Sequence, residues 1–89
     1  MRAVITVVGN DTVGILSKVS GICAEYGINV EDVTQSILQG VFAMIMIVDM
    51  SNCTVDIPAL KESFEKAQKE MGVEIRLTRT EVFDAMHRI

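Results

Sequence analysis

The chain is poor in the residues that carry out covalent and metal chemistry. It has one histidine and two cysteines among 89 residues. That is too few thiolates for an iron–sulfur cluster, and there is no second histidine to build a metal site around His87. Cys23 and Cys53 stand far apart in sequence and read as free thiols, the first on the apolar face of a helix and the second in a loop, each packing as a small hydrophobe. Such usage fits a reducing cytoplasm. Basic residues are scarce as well: eight Lys and Arg against twelve Asp and Glu give a net charge of −4. The basic residues are scattered, so no basic face is expected to grip a nucleic-acid backbone. No apolar run approaches the roughly 20 residues of a membrane span, and the longest, Val41 to Val48, has the length of a strand. The first residues enter a strand directly, without a positive region, apolar core or cleavage site of an export signal. A cytoplasmic protein with no membrane partner is expected.

What remains is rich in apolar residues, 49% of the chain, with 22% charged. This is the composition of one globular domain with a single core. The pattern places the core in residues 2–80 and a tail in 81–89. Arg2 to Val8 reads as an apolar strand that ends at Gly9. Asn10 to Gly14 forms a polar turn, in which Asp11 or Thr12 can cap the following helix. Ile15, Leu16, Val19, Ile22, Cys23 and Tyr26 recur at helical spacing, and Gly27 stands where a left-handed C-terminal cap is wanted. Ile28 to Gln39 alternates as a strand, but Val33 and Ile37 fall out of phase with Ile28 and Val30, so a bulge is expected near Glu31-Asp32. Gly40 marks a hairpin into Val41 to Met50, which is apolar on both faces. Asp56 and Pro58 open a helix over Ile57 to Met71, with Ile57, Leu60, Phe64, Ala67 and Met71 as its buried stripe. Glu62–Lys66 and Glu65–Lys69 are spaced as solvated ion pairs on its other side. Gly72 ends it, Val73 to Thr78 alternates as a last strand, and Val82, Phe83, Met86 and Ile89 return to helical spacing in a short tail helix.

The order is βαββαβ. Right-handed crossovers turn that order into a ferredoxin-like α+β sandwich: a four-stranded antiparallel sheet, the first and third strands central, both helices on one face. The other face is then expected to expose several of Val4, Val8, Phe42, Met44 and Met46, with the tail and a second copy covering it. A homodimer or higher homo-oligomer follows. Met44, Met46 and Met50 share one strand face, which reads either as an adaptable partner surface or as core.

Many activities use this scaffold, and missing parts exclude several. A soft-metal carrier needs a CxxC in the first loop, an acylphosphatase needs an arginine there, and an RNA-recognition module needs several aromatics on its central strands. Here the loop has neither cysteine nor arginine, and the central strands hold only Phe42. Glu31 and Asp32, adjacent in a strand, are expected on opposite faces, so no carboxylate pair and no nucleophile–base pair points to catalysis. A non-enzymatic protein without cofactor or metal is expected.

Val7-Val8-Gly9-Asn10-Asp11-Thr12-Val13-Gly14-Ile15-Leu16 and Tyr26-Gly27-Ile28-Asn29-Val30 resemble the ACT domain, a small-ligand-binding regulatory module of amino-acid metabolism. They match its strand, its D-x-x-G-apolar-apolar helix start and its G-apolar-N-apolar strand opening. With the ending Val82 to Ile89, the chain is similar to the small stand-alone ACT proteins of bacteria and archaea that carry an uncharacterised-family label. The resemblance implies two domains paired side by side into one sheet, with an amino acid or similar metabolite held at the interface. The implied ligand-binding residues are Asn10, Asp11, Val13, Gly14, Ile15 and Leu16 in the turn, whose backbone N–H groups take the carboxylate. The second-strand Asn29 of the neighbouring copy completes the site. A regulated protein partner is a further implication.

The residues themselves leave alternatives open. Gly14 either admits a ligand or serves packing or a special φ. Asp11 either accepts an ammonium group or caps the helix, and Asn29 either binds ligand or bonds its own turn. Gln35 and Ser36 are either polar contacts or ordinary exposed strand residues. The alternative function is a protein–protein interaction module with a vestigial ligand site.

Overall fold

Strong local signals set the elements. In the computed structural model, which describes residues 2–10 and 13–80, the order is β1 (Arg2–Asn10), α1 (Ile15–Glu25), β2 (Asn29–Leu38), β3 (Val41–Asp49), α2 (Ile57–Met71) and β4 (Val73–Arg79). The strands form one antiparallel sheet in the order β2-β3-β1-β4. This is the ferredoxin-like sandwich that the sequence predicts, with β1 and β3 central. The apolar tail residues Val82, Phe83, Met86 and Ile89, with His87, lie outside the described residues.

The punctuation of α2 is as expected. Asp56 Oδ1 accepts a hydrogen bond from the Ala59 N–H at 3.0 Å, which satisfies one of the helix's orphan donors. Pro58 sits in the first turn, and Gly72 closes the helix with its N–H on the Gln68 carbonyl at 2.9 Å. At the end of α1 the Ile28 N–H reaches back to the Cys23 carbonyl at 2.8 Å, the long bond of a left-handed C-terminal cap around Gly27. A 2.9 Å hydrogen bond between Tyr26 Oη and Ser63 Oγ then ties α1 to α2. The β2–β3 hairpin turns on Gln39 and Gly40, both with positive φ (53° and 81°), as a two-residue turn matched to strand twist requires.

Alternation sends Ala3, Ile5 and Val7 of β1 and Phe42, Met44, Met46 and Val48 of β3 toward the helices. There they meet Ile15, Val19, Ile22 and Cys23 of α1 and Leu60, Phe64 and Ala67 of α2. This corrects the expected open patch: Phe42, Met44 and Met46 are core, and only Val4 and Val8 of that set face away. Met50 is also buried, so the methionine stripe is core and not a partner surface. Two stripe residues depart from expectation. Ile57 is 37% exposed and Leu16 is 39% exposed, while Ile15, in the same first turn as Leu16, is 2% exposed. Neither Glu62–Lys66 nor Glu65–Lys69 closes among the described residues. Lys18 of α1 instead reaches Glu70 of α2 at 3.2 Å.

The β2–β3 register slips between Val30 and Asp32, the bulge that the phase change predicts. Its effect differs from the expected one. Val30 opposes Val48 and Val33 opposes Met46, so the extra residue keeps both valines, and Ile37 after them, on the helix side. It also brings Glu31 and Asp32 to the same open face. Glu31 Oε1 meets Arg2 Nε at 2.8 Å there, and Asp32 opposes Ile47.

Leu60→Ala should destabilise the chain by about 2–5 kcal/mol, whereas Ile57→Ala should cost roughly 0.5 kcal/mol or less. Urea unfolding midpoints of the two variants check the contrast.

Candidate functional site

Among the described residues, the first helix starts without a side-chain cap. Gly14 occupies the cap position at φ 89°, ψ 7°, and has no side chain to accept a bond from the first turn. The first intrahelical bond is Lys18 N–H to the Gly14 carbonyl at 2.9 Å. The N–H groups of Ile15, Leu16 and Ser17 therefore have no acceptor within the helix, and the positive end of the helix dipole lies at the same point. The cap residue is Gly14, and Asp11 and Thr12, the capping residues that the sequence suggests, lie outside the described residues.

This turn forms one wall of a groove of about 460 Å³, lined by Val13, Gly14, Ile15, Leu16, Gln35, Ser36, Ile37 and Phe42. The groove exists because β2, an edge strand, runs past the start of α1. Its Gln35 and Ile37 lie on the helix side of the sheet with no helix above them. Phe42, 5% exposed, makes the floor, and Ile37, 58% exposed, makes the far wall. A Cβ built on Gly14 would meet nothing within 4 Å. The glycine is required by its positive φ and not by packing, and the space beside it is open toward the groove.

The predicted residues Val13, Gly14, Ile15 and Leu16 thus come together. Asn10 does not join them. It lines a separate depression with Val8, Gly9, Val41 and the α2–β4 junction. Asn29 lies at the far end of β2, exposed, opposite Asp49. Gln35 and Ser36 line the groove and are exposed on β2, which is compatible with both of their readings. Ile37 and Phe42 are additions to the predicted set. The Gln39-Gly40 turn places Ile37 opposite Phe42, a pairing that the Gly40 signal alone hints at.

Comparison with known proteins bears on this groove. The ACT domain profile matches residues 2–78. The chain belongs to the ACT domain family. Among its relatives, the UPF0237 protein of Clostridium perfringens is 46% identical over all of both chains. The structure of an ACT domain protein from Streptococcus pneumoniae superposes with a TM-score of 0.80 at 38% identity, covering 98% of each chain. A second similar structure is the regulatory subunit of aspartate kinase from Thermus thermophilus in its ligand-free form. It has a TM-score of 0.64 and 28% identity, over 85% of this chain and 49% of that one. ACT domains are typically ligand-binding regulatory modules, and they often oligomerise.

Groups suited to bond-making chemistry are few around this ACT groove. No trio of His, Cys, Asp and Glu among the described residues is placed to hold a metal ion, and no described helix is long and apolar enough to cross a membrane. Both cysteines are free. Burial pushes the Cys23 thiol up from its ordinary 9.0 to about 11, with the neighbouring Cys53 adding to the shift. Raised in this way, the folded state holds its proton more tightly than the unfolded chain. The stabilisation is whole below pH 9 and is lost as pH rises through about 11.

Gly14→Ala should leave the fold intact and cost about 1–2 kcal/mol through its left-handed backbone, with Gly14→Asn milder. Chemical denaturation measures both. At pH 8 a thiol reagent should modify Cys53 in the native chain and spare Cys23 until urea is added, as mass spectrometry of the labelled protein would show.

Proposed function

We propose that this ACT domain senses a small carboxylate, an amino acid in the simplest case, in the groove between the start of α1 and β2, and acts without catalysis. The observation that carries the reading is the first turn of α1, entered through the side-chain-free Gly14, facing an apolar trough. The N–H groups suit a carboxylate, Leu16, Ile37 and Phe42 suit an aliphatic body, and Gln35 can meet a polar end.

The groove is open on the side of β2, whose outer edge has no strand beside it in the chain. Antiparallel pairing of β2 with the β2 of a second copy sets the start of one strand beside the end of the other. A neighbouring copy's Asn29 then approaches Gln35 to Ile37, which would explain why Asn29 is remote from Gly14 within one chain. In that homodimer the ligand bridges two subunits, and its binding shifts the populations of assembled states, provided it favours one of them. A regulated protein partner would read that shift. The acidic balance of the chain argues against nucleic acid as that partner.

A second reading rests on Val8, Val41 and Ile45, exposed at 45%, 47% and 39% on the sheet face away from the helices. They suit a protein–protein interaction module whose ligand site is vestigial.

Titration calorimetry against the standard amino acids should give saturable heat with one or a few of them, and silence with all would favour the second reading. Asn29→Ala, an exposed change, should weaken that binding roughly tenfold, the cost of a hydrogen bond to a charged ligand. It should leave the unfolding midpoint unchanged.

A further inference from the structure

Cys23 and Cys53, far apart in sequence, are brought to one place by the loop that joins β3 to α2. The Thr54 N–H donates to the Tyr26 carbonyl at 2.9 Å. A Cβ built on Gly27 would stand 2.5 Å from the Asn52 carbonyl oxygen, so the loop backbone presses directly on the end of α1. Asn52 and Thr54 flank Cys53, while Tyr26 and Gly27 follow Cys23 by about one helical turn. These contacts set Cys53 against the last turn of α1, which holds Cys23. Both side chains belong to one packed cluster, Cys23 as a buried member and Cys53 half-buried at its margin. The charge of one thiol is felt by the other, which is part of what raises Cys23.

The two sulfurs differ in what can reach them. Cys23 is 1% exposed and holds its proton up to about pH 11, so a dissolved oxidant does not meet its thiolate. Cys53 is half-buried on a loop, its thiol donating a long 3.4 Å hydrogen bond to the Val55 carbonyl. That bond engages the proton and leaves the sulfur lone pairs for reaction. Because α1 is pinned in the core and Cys53 rides on a connection, the loop makes the approach that a sulfur–sulfur bond requires. The pair has no part in the groove, which lies at the other end of α1.

We propose that Cys53 is a site of peroxide oxidation, resolved by Cys23 into an intrachain disulfide that fastens the β3–α2 loop to the end of α1. The Cys53 thiolate attacks a peroxide oxygen, the O–O bond breaks, and a sulfenic acid and hydroxide form. The Cys23 sulfur then displaces the sulfenic oxygen, which leaves as water with the Cys23 proton. In sum, two thiols are oxidised by two electrons and one hydrogen peroxide is reduced to two waters. Transient disulfides of this kind are the ones that a reducing compartment permits. The bond closes residues 23–53, with β2 and β3 among them, into a covalent loop. Such a loop narrows the unfolded ensemble and stabilises the oxidised chain.

The test treats the full chain with hydrogen peroxide, then unfolds and alkylates it for intact-mass measurement. The expected product is a single chain lighter by two hydrogens with neither sulfur alkylated, and dithiothreitol restores both thiols. A Cys23 that still takes the alkylating reagent, or a disulfide found only between chains, overturns the proposal. In Cys23→Ala the sulfenic acid should persist, so that dimedone labels Cys53 several-fold more than in the unaltered chain. Equal labelling removes the resolving role. The oxidised chain should unfold at higher urea than the reduced one, and dithiothreitol should abolish the difference. A midpoint that stays or falls refutes the latch. So does the same upward shift in Cys53→Ser, a half-buried change that should leave the reduced midpoint nearly in place.

Discussion

The structure depends on two helices being held against one face of a four-stranded sheet. Ile5, Val7 and Met46 of the central strands have no measurable or almost no exposure beneath Val19 and Leu60, and a well-packed core of this kind tolerates neither voids nor shifts. Fixing α1 over those residues fixes where its first turn ends. Gly14 is therefore carried past the edge of the core, at a left-handed φ. The groove follows from this arrangement: a helix placed for packing leaves part of an edge strand uncovered beside its own positive end.

A single inserted residue governs the other half of the site. Without the slip between Val30 and Asp32, the period of two would turn Val33, Gln35 and Ile37 toward the open face. With it, Val33 packs, half-buried, against the core, and Gln35 and Ile37 become the wall opposite Leu16. Glu31, the residue displaced, is held by Arg2. Nearby, the side-chain and backbone donors of Ser51 keep the Asp49 carboxyl below its usual range. The carboxylates at this end of the sheet are thus occupied in local structure.

Much of this was legible in the residues because the signals were local. Asp56, Pro58 and Gly72 gave α2 its observed limits, and the Val13 to Leu16 wall of the groove could be read from the glycine-bounded turn. The failures came where an answer required knowing what packs on what. Strands β1 and β3 are apolar on both faces, so the sequence could not say which alternating set met the helices, and Phe42, Met44 and Met46 were expected on the wrong side. Ile57 fits the helical stripe by period but is exposed. Ile37 looked like an ordinary strand residue until the hairpin register set it across from Phe42. Asn10 follows the motif in sequence, yet β1 extends through it and turns it toward the α2–β4 junction.

The sheet has two unlike borders. β4 is short and carries Glu74, Arg76 and Arg79, charges that discourage an added strand, while β2 presents a run of uncharged residues from Val33 to Leu38 after the bulge. Like joining like along β2 is symmetric and stops at two copies. Joining β2 to β4 would leave a fresh border at each step and grow without limit. A fold with one inviting border and one guarded one can thus assemble while avoiding filaments.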